Sequence, residues 1–588
     1  MLSSPERSEI TSRFAINTGS AVVPVLMAAL VLLCAGLISV ARAQCTVNTP
    51  GETLPATPLT YPMTSNRYAV QYKAGGGRWT DAQVYITYYG ATNSSPFFNF
   101  SGYSLETSMS FVSIPTGPKT KVRLRVTKLF SSPFTSSDQV SVRPSAKGIA
   151  ASTQGDGTVL ITRKTSSDFA GEQFILWWNR ATEGGGIEGL AFFLNPPYER
   201  PAGSNVKIIA SPGDLAGDLS HFDTLDLEGT IAIGSTGAVA FVVPPNISNV
   251  FLAPGAWVQG KLRFTQTGLG KPRRLYGPGV LDASRFEYDL RHCDGDQGYP
   301  AISWNRVSAP AMPDQFFVDG IVITDQNFYG TDLFVDSTVN NAKIIGWNGN
   351  NDGFEFGLNT RASNIFVRAG DDSLKMWGSS ITVNNATVWQ NYNGGVVNLG
   401  WSNNSPGDNG LIDGVYVVKT DWLTPTDPSF TVTTLSHQNN GIIASLMVPG
   451  TMFGSAQTSL YRNIYVEDAP QVLFSLKILP RDCSRLGLQG RCPIDDLTQP
   501  SVLNLNIENL FTPESVVANS IGFQTLPPGF SQNGQSFPNG YTLTGSMNIK
   551  LTNVIIKSAD GAMVPLTSTN AASVGKLITN GGQVIVVY

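Results

Sequence analysis

The chain has 588 residues, more than one hydrophobic core usually serves, so two domains and an N-terminal targeting segment are expected. Only 14% of residues are Asp, Glu, Lys or Arg, and the net charge is −4; an average globular protein carries about 25%. That balance offers no field for a phosphate backbone, and with no Lys/Arg run or zinc-finger spacing it excludes nucleic acid as a partner.

In chain order, Arg7 and Arg13 precede an apolar run from Ala21 to Ala41 that ends in Ala41-Arg42-Ala43. This reads as a cleaved secretory signal over residues 1–43, leaving a secreted, extracellular chain without a membrane segment. An uncleaved anchor is the alternative, because the run is about as long as a spanning helix needs. Cys34 falls inside the signal; Cys45, Cys293, Cys483 and Cys492 remain, an even number that suits an oxidising compartment. Cys483 and Cys492 are the nearest pair, although three connectivities are open.

Residues 44–212 read as a β-sandwich domain. From Tyr68 to about Ile209, short alternating stretches such as Ala82 to Tyr88, Lys121 to Val126 and Gly157 to Thr162 lie between Gly, Pro and Ser clusters. No helical period interrupts them, so antiparallel strands are expected.

Residues 213–588 repeat. An Asn or Gly followed by an apolar, often β-branched run recurs at Gly320, Asn341, Asn364, Asn385, Gly414, Asn463, Asn509 and Asn553, at intervals of 21, 23, 21, 29, 49, 46 and 44. A period of about 22 residues of strand and turn, without a helical half, predicts a parallel β-helix. The last three intervals are near twice the first three. They suggest a degenerate coil inside each, with Gly441 to Leu446 and Val472 to Ile478 as candidates.

In such a fold, equivalent residues of successive coils stack about 4.8 Å apart. Asn351-Asp352-Gly353 is followed 19 and 20 residues after Asp352 by Asp371 and Asp372, close to one coil. Three carboxylates on adjoining coils suit inverting glycoside hydrolysis: one protonated acid for the leaving oxygen, and ionised partners to hold a water. Proximity of like charge would keep one of them protonated. The alternative is an ordinary acidic turn. Strand neighbours point to opposite faces, so Asp371 and Asp372 share a cleft only at a bend, for which Gly370 is suited. Lys375, three residues beyond the pair, could steady a carboxylate or bind a sugar hydroxyl. Trp377 and Trp401 could stack on sugar rings or pack between coils, whereas Trp389 lies in an apolar strand and reads as core. His221, His292 and His437 are too scattered for a zinc site or a triad; no EF-hand loop is present, and no metal or cofactor is assigned.

At these motifs the sequence resembles glycoside hydrolase family 49, the dextranases and isopullulanases. The resemblance runs through Val250 to Gly260, N-D-G-F-E at Asn351 to Glu355, G-D-D-S-L-K-M at Gly370 to Met376, V-V-N-L-G-W at Val396 to Trp401, and N-A-A-S-V-G at Asn570 to Gly575. It implies a β-sandwich followed by a right-handed parallel β-helix, with Asp371 as general acid and Asp352 and Asp372 on the attacking water. It further implies inversion, substrate contact by Lys375 and Trp401, and no cofactor; Asn351 and Trp377, beside the acids, are further candidates for substrate contact. The segment from Asp325 to Asp332, and Asn398 where an acid can occur, depart from the family pattern and bear on substrate choice. Polygalacturonases share the three-carboxylate layout, but their Gly-His-Gly is missing here and few basic groups lie near the motifs. The expectation is a monomeric, endo-acting hydrolase of α-1,6-glucan, with pullulan α-1,4 links, polygalacturonate, or a non-catalytic polysaccharide-binding role as alternatives.

Overall fold

The structure, a computed structural model, describes residues 64–588 apart from 89–107, 131, 179–188, 235–239, 285–299, 306–313, 327–328, 348–350, 392, 402–405, 423–439, 468–471, 479–498, 516–517, 524, 527, 533–534, 559, 572–576 and 581–582. The expected signal and Cys45, Cys293, Cys483 and Cys492 lie outside the described residues. Among the described residues no helix is long and apolar enough to cross a membrane.

The first ten strands form two five-stranded sheets. In one, Lys121–Lys128 runs antiparallel between Tyr68–Ala74 and Val159–Lys164. The other departs from the antiparallel expectation, because Leu190–Asn195 pairs in parallel with Ser108–Pro115. A pair so distant in sequence is not tied to the up-down sense that a hairpin imposes. Alternation explains the packing. In Lys121–Lys128, Val122, Leu124 and Val126 turn inward to meet Phe174, Leu176 and Phe192 of the facing sheet.

The remaining chain winds into a parallel β-helix. One 20-stranded sheet bends to supply two faces of each coil, and an 11-stranded sheet supplies the third. The first strand of the stack, Val206–Ile209, pairs with Thr224–Leu227 and so precedes both the expected junction at 212/213 and the Val250 to Gly260 segment.

The bend between the first two faces explains the recurrent Asn and Gly. Asn341, Asn364, Asn385, Asn463, Asn509 and Asn553 all have φ between 50° and 57°, and Gly320 and Gly414 have φ of 85° and 87°. Left-handed backbone costs other residues roughly 1–2 kcal/mol but is accessible to Gly and tolerated by Asn. Stacking then turns the asparagines into a ladder: Asn385 Nδ2 donates to Asn364 Oδ1 at 2.7 Å, Asn509 to Asn463 at 3.1 Å, and Asn553 to Asn509 at 2.9 Å. The apolar residues after each bend alternate inward, and Ile344, Val367, Val388, Val417 and Ile464 join one continuous core.

The long intervals do not hide extra coils. Leu411–Thr420 pairs directly with Ser459–Val466, which pairs with Ser501–Ser515, which pairs with Gly545–Lys557. Gly441–Met447 and Val472–Ile478 are third-face strands of those same coils. Turns between faces can lengthen without disturbing strand register, so the spacing of bend residues measures turn length as well as coil number.

The second of the two five-stranded sheets packs on the outer side of the β-helix. Tyr85, Phe111, Ile175 and Phe193 cluster with Trp257, Val280, Val322, Trp347, Phe366 and Trp389. Polar groups fix the register of this joint: Lys343 Nζ donates to Asn195 Oδ1 at 2.6 Å, Trp347 Nε1 to Thr87 Oγ1 at 3.0 Å, and Arg143 to the Val418 carbonyl at 2.7 Å.

Candidate active site

Successive turns between the second and third faces carry the acids. Asn351 and Asp352 follow Lys343–Ile345, Asp371 and Asp372 follow Arg361–Ala369, and Asn393 and Gly394 follow Thr382–Gln390. Backbone bonds hold these turns in register. The Gly330 N–H donates to the Asp352 carbonyl at 2.9 Å, Gly353 to the Asp372 carbonyl at 2.8 Å, and Ser373 to the Gly395 carbonyl at 2.9 Å.

Asp371 and Asp372 escape strand alternation because the chain bends there. The Asp371 side chain folds back so that the Asp372 N–H donates to its Oδ1 at 2.8 Å. The three carboxylates therefore converge, each with an oxygen within 4.8 Å of the others, and all three residues are buried.

On the adjoining third face, Glu355, Lys375 and Asn398 are register partners in consecutive strands. Lys375 Nζ lies 2.6 Å from Asp352 Oδ2 and 3.5 Å from Glu355 Oε2. It also stands 3.7 Å from the centre of the Tyr329 ring and 3.9 Å from that of Trp377, an aromatic cage for the ammonium. Trp377 in turn donates its Nε1–H to Asn398 Oδ1 at 2.9 Å.

Electrostatics follow from this crowding. Burial, aided by Asp371 and opposed by Lys375, pushes Asp372 up to about 7. Burial also drives Asp352 well above the usual carboxylate range, with Lys375 pulling the other way and Asp371 and Asp372 adding to the rise. Glu355 is raised by burial against the pull of Lys375. For Lys375, burial alone would lower the ammonium, but Asp352, Tyr329, Glu355 and Asp372 together hold it well above its ordinary value. The cluster thus retains protons near neutrality, and its titration belongs to the group rather than to one residue. Three convergent carboxylates could in principle hold a cation. Here the Lys375 ammonium already supplies the counter-charge, and we assign no metal.

The other expected site residues separate. Asn351 is buried below the acids, accepting from the Trp347 N–H at 2.9 Å and donating to the Gln326 carbonyl, so it braces the turn. Trp401 closes the third-face strand Gly395–Trp401 and pairs with Leu446; its side chain lies outside what is described. Trp389 is core, packed in the joint beside Trp177 with Nε1 2.6 Å from Asp421. Sequence reasoning left Glu355, Tyr329, Gln390 and Asn393 without roles. Glu355 carried a signal, since it precedes Lys375 by the same 20 residues that separate Asp352 from Asp372. Tyr329 and Asn393 lie in turns of unequal length and carried none.

No known family profile matches the chain. It is 29% identical over 188 residues to a dextranase of Arthrobacter globiformis, covering 30% of this chain and 29% of that protein. It is 24% identical over 403 residues to an isopullulanase of Aspergillus niger, covering 66% and 65%. The fold superposes on Dex49A from Penicillium minioluteum with a TM-score of 0.59 and 19% identity, over 91% of this chain and 97% of that one.

These similarities support the resemblance to glycoside hydrolase family 49.

The matched stretch spans under a third of the Arthrobacter dextranase and just under two thirds of the isopullulanase. The segment departing from the family pattern, Asp325 to Asp332, supplies Tyr329 to the Lys375 cage and Gln326 to the turn below Asp352, where the Gln326 amide lies 3.3 Å from the Asp352 carbonyl.

Proposed function

We propose that this chain is a secreted, endo-acting glycoside hydrolase that cleaves α-1,6-glucosidic links of dextran with inversion. The convergence of Asp352, Asp371 and Asp372 within 4.8 Å of one another carries the reading. Asp371 donates its proton to the glycosidic oxygen as the bond to the anomeric carbon breaks. Asp372 and Asp352 hold a water on the opposite face of the ring and take its proton as the oxygen attacks. The proton lost by Asp371 and the one gained by the base exchange with solvent, which resets the site. A cluster that holds a proton near neutrality suits this cycle, because it offers an acid and a base at the same pH.

A neutral glucan fits the charges. Lys375 is engaged by two carboxylates and two rings, so it is not free to neutralise a uronate. One further reading has specific support: pullulan is favoured by the longer alignment with an isopullulanase.

Incubation of the secreted protein with dextran, pullulan and polygalacturonate side by side tests the substrate. Reducing ends from dextran support the proposal. Release only from pullulan replaces the linkage, release only from polygalacturonate contradicts the neutral-glucan argument, and release from none favours a binding role.

A further inference from the structure

The turn Asn393-Gly394-Gly395 touches both neighbouring acids, and the reaction described above gives it no part. Asn393 Nδ2 donates to Asp371 Oδ2 at 2.6 Å. Two residues on, the Gly395 N–H donates to Asp372 Oδ1 at 2.7 Å. The turn is pinned from behind, with Gln390 Nε2 donating to the Asn393 carbonyl at 2.5 Å and to the Asp371 carbonyl at 2.8 Å. Ser373 Oγ lies 2.6 Å from Gln390 Oε1, and Trp422 Nε1 donates to the Gly394 carbonyl at 3.0 Å. Gly394, at φ 77°, closes the approach: a Cβ there would lie 2.3 Å from the Asp372 nitrogen and 2.5 Å from Asp371 Oδ1.

We propose that Asn393 is a positioning residue for the general acid, its amide fixing the rotamer of Asp371 while the same turn holds Asp372 through Gly395. This rests on the assignment of Asp371 as the acid. With the Asn393 amide on Oδ2 and the Asp372 N–H on Oδ1, the carboxyl plane is defined at both oxygens. The proton is delivered in one direction rather than over a swept arc. The amide also stabilises the ionised carboxyl, because a donor favours the charged form. The charged and titratable groups around Asp371 are Asp352, Asp372, Lys375 and Tyr329.

Two substitutions separate positioning from simple support. Asn393→Ala removes the donor; Asn393→Asp keeps the shape and replaces the donor with a second acid. Both should lower kcat on dextran, by about 100-fold as expected for a misaligned reacting group, with KM little changed. Titration of the aspartate carboxyls by carbon NMR, with the Asp371 signal identified by its loss in Asp371→Asn, requires no turnover. We expect its midpoint to rise by about one pH unit in Asn393→Ala and further in Asn393→Asp. The alkaline limb of kcat/KM should move with it. Unchanged melting temperatures and an unmoved midpoint in both variants would overturn the proposal, as would a KM rise without loss of kcat. Full activity in Asp371→Asn would instead overturn the assignment of the acid, while the NMR midpoint still reports on the Asn393 contact.

Discussion

At the scale of single residues the acid cluster is a place where the fold spends stability. The Asp372 carboxyl is held up to about 7 by burial and by Asp371, against roughly 3.9 in an unfolded chain. The folded state therefore binds the extra proton. The stabilising contribution is fully present below about pH 4 and is lost as pH rises through about 7. Asp372→Asn removes that loss. It should melt higher than the wild type at pH 8 with a smaller gap at pH 4 in paired calorimetric scans, while dextran hydrolysis falls by about 10²- to 10⁴-fold. Lys375→Met should act in the opposite sense. It leaves Asp352 and Glu355 buried without their cation, a cost of about 3–5 kcal/mol at pH 7. Denaturant midpoints should show that cost shrinking as pH falls and both acids, raised by burial, take up protons. The sequence showed the three aspartates because stacking writes neighbours at one coil interval. It could not show that Lys375 turns onto Asp352 inside a cage of Tyr329 and Trp377, since the Tyr329 turn follows no fixed spacing.

At the scale of elements, the asparagine ladder explains why a degenerate repeat still gives a regular helix. Each rung combines a left-handed bend with an amide bond to the next coil, and the strand on either side needs only inward apolar residues. Asn509 stands mid-ladder, accepting from Asn553 at 2.9 Å and donating to Asn463 at 3.1 Å. Asn509→Ala should cost about 1–2 kcal/mol from the bend alone, and Asn509→Gly less, because it keeps the bend and loses only the rung. Urea denaturation of the pair checks the order, and equal losses would mean that the bend conformation is unimportant. These bends were legible in the sequence because few residue types tolerate them. Coil length was not, since Gly441–Met447 and Val472–Ile478 look like independent repeats until their pairing with each other is seen.

At the scale of the whole molecule, the sandwich acts as a cover for one face of the β-helix. Trp257, Val280, Val322, Phe366 and Trp389 form an apolar column on that face and are fully covered or nearly so. A protein beginning at residue 206 would expose it, and contiguous apolar surface of that kind drives association. Such a truncation should sediment as aggregate, whereas the full chain remains soluble; a soluble, active truncation would show the cover to be dispensable. The sequence indicated two β architectures but not their joint, because Lys343, Asn195, Trp347 and Thr87 meet across long separations that no local pattern records.

The proposed chemistry has the three aspartates hydrolyse a glucan link, with Asp371 as the acid. Proton NMR of dextran treated with wild-type protein and with Asp371→Asn, recorded within the first minutes of reaction, tests it most directly. The account predicts β-anomeric reducing ends appearing first from the α-linked substrate, and their loss in Asp371→Asn. First-formed α-anomers would contradict inversion, and undiminished release by Asp371→Asn would contradict the site.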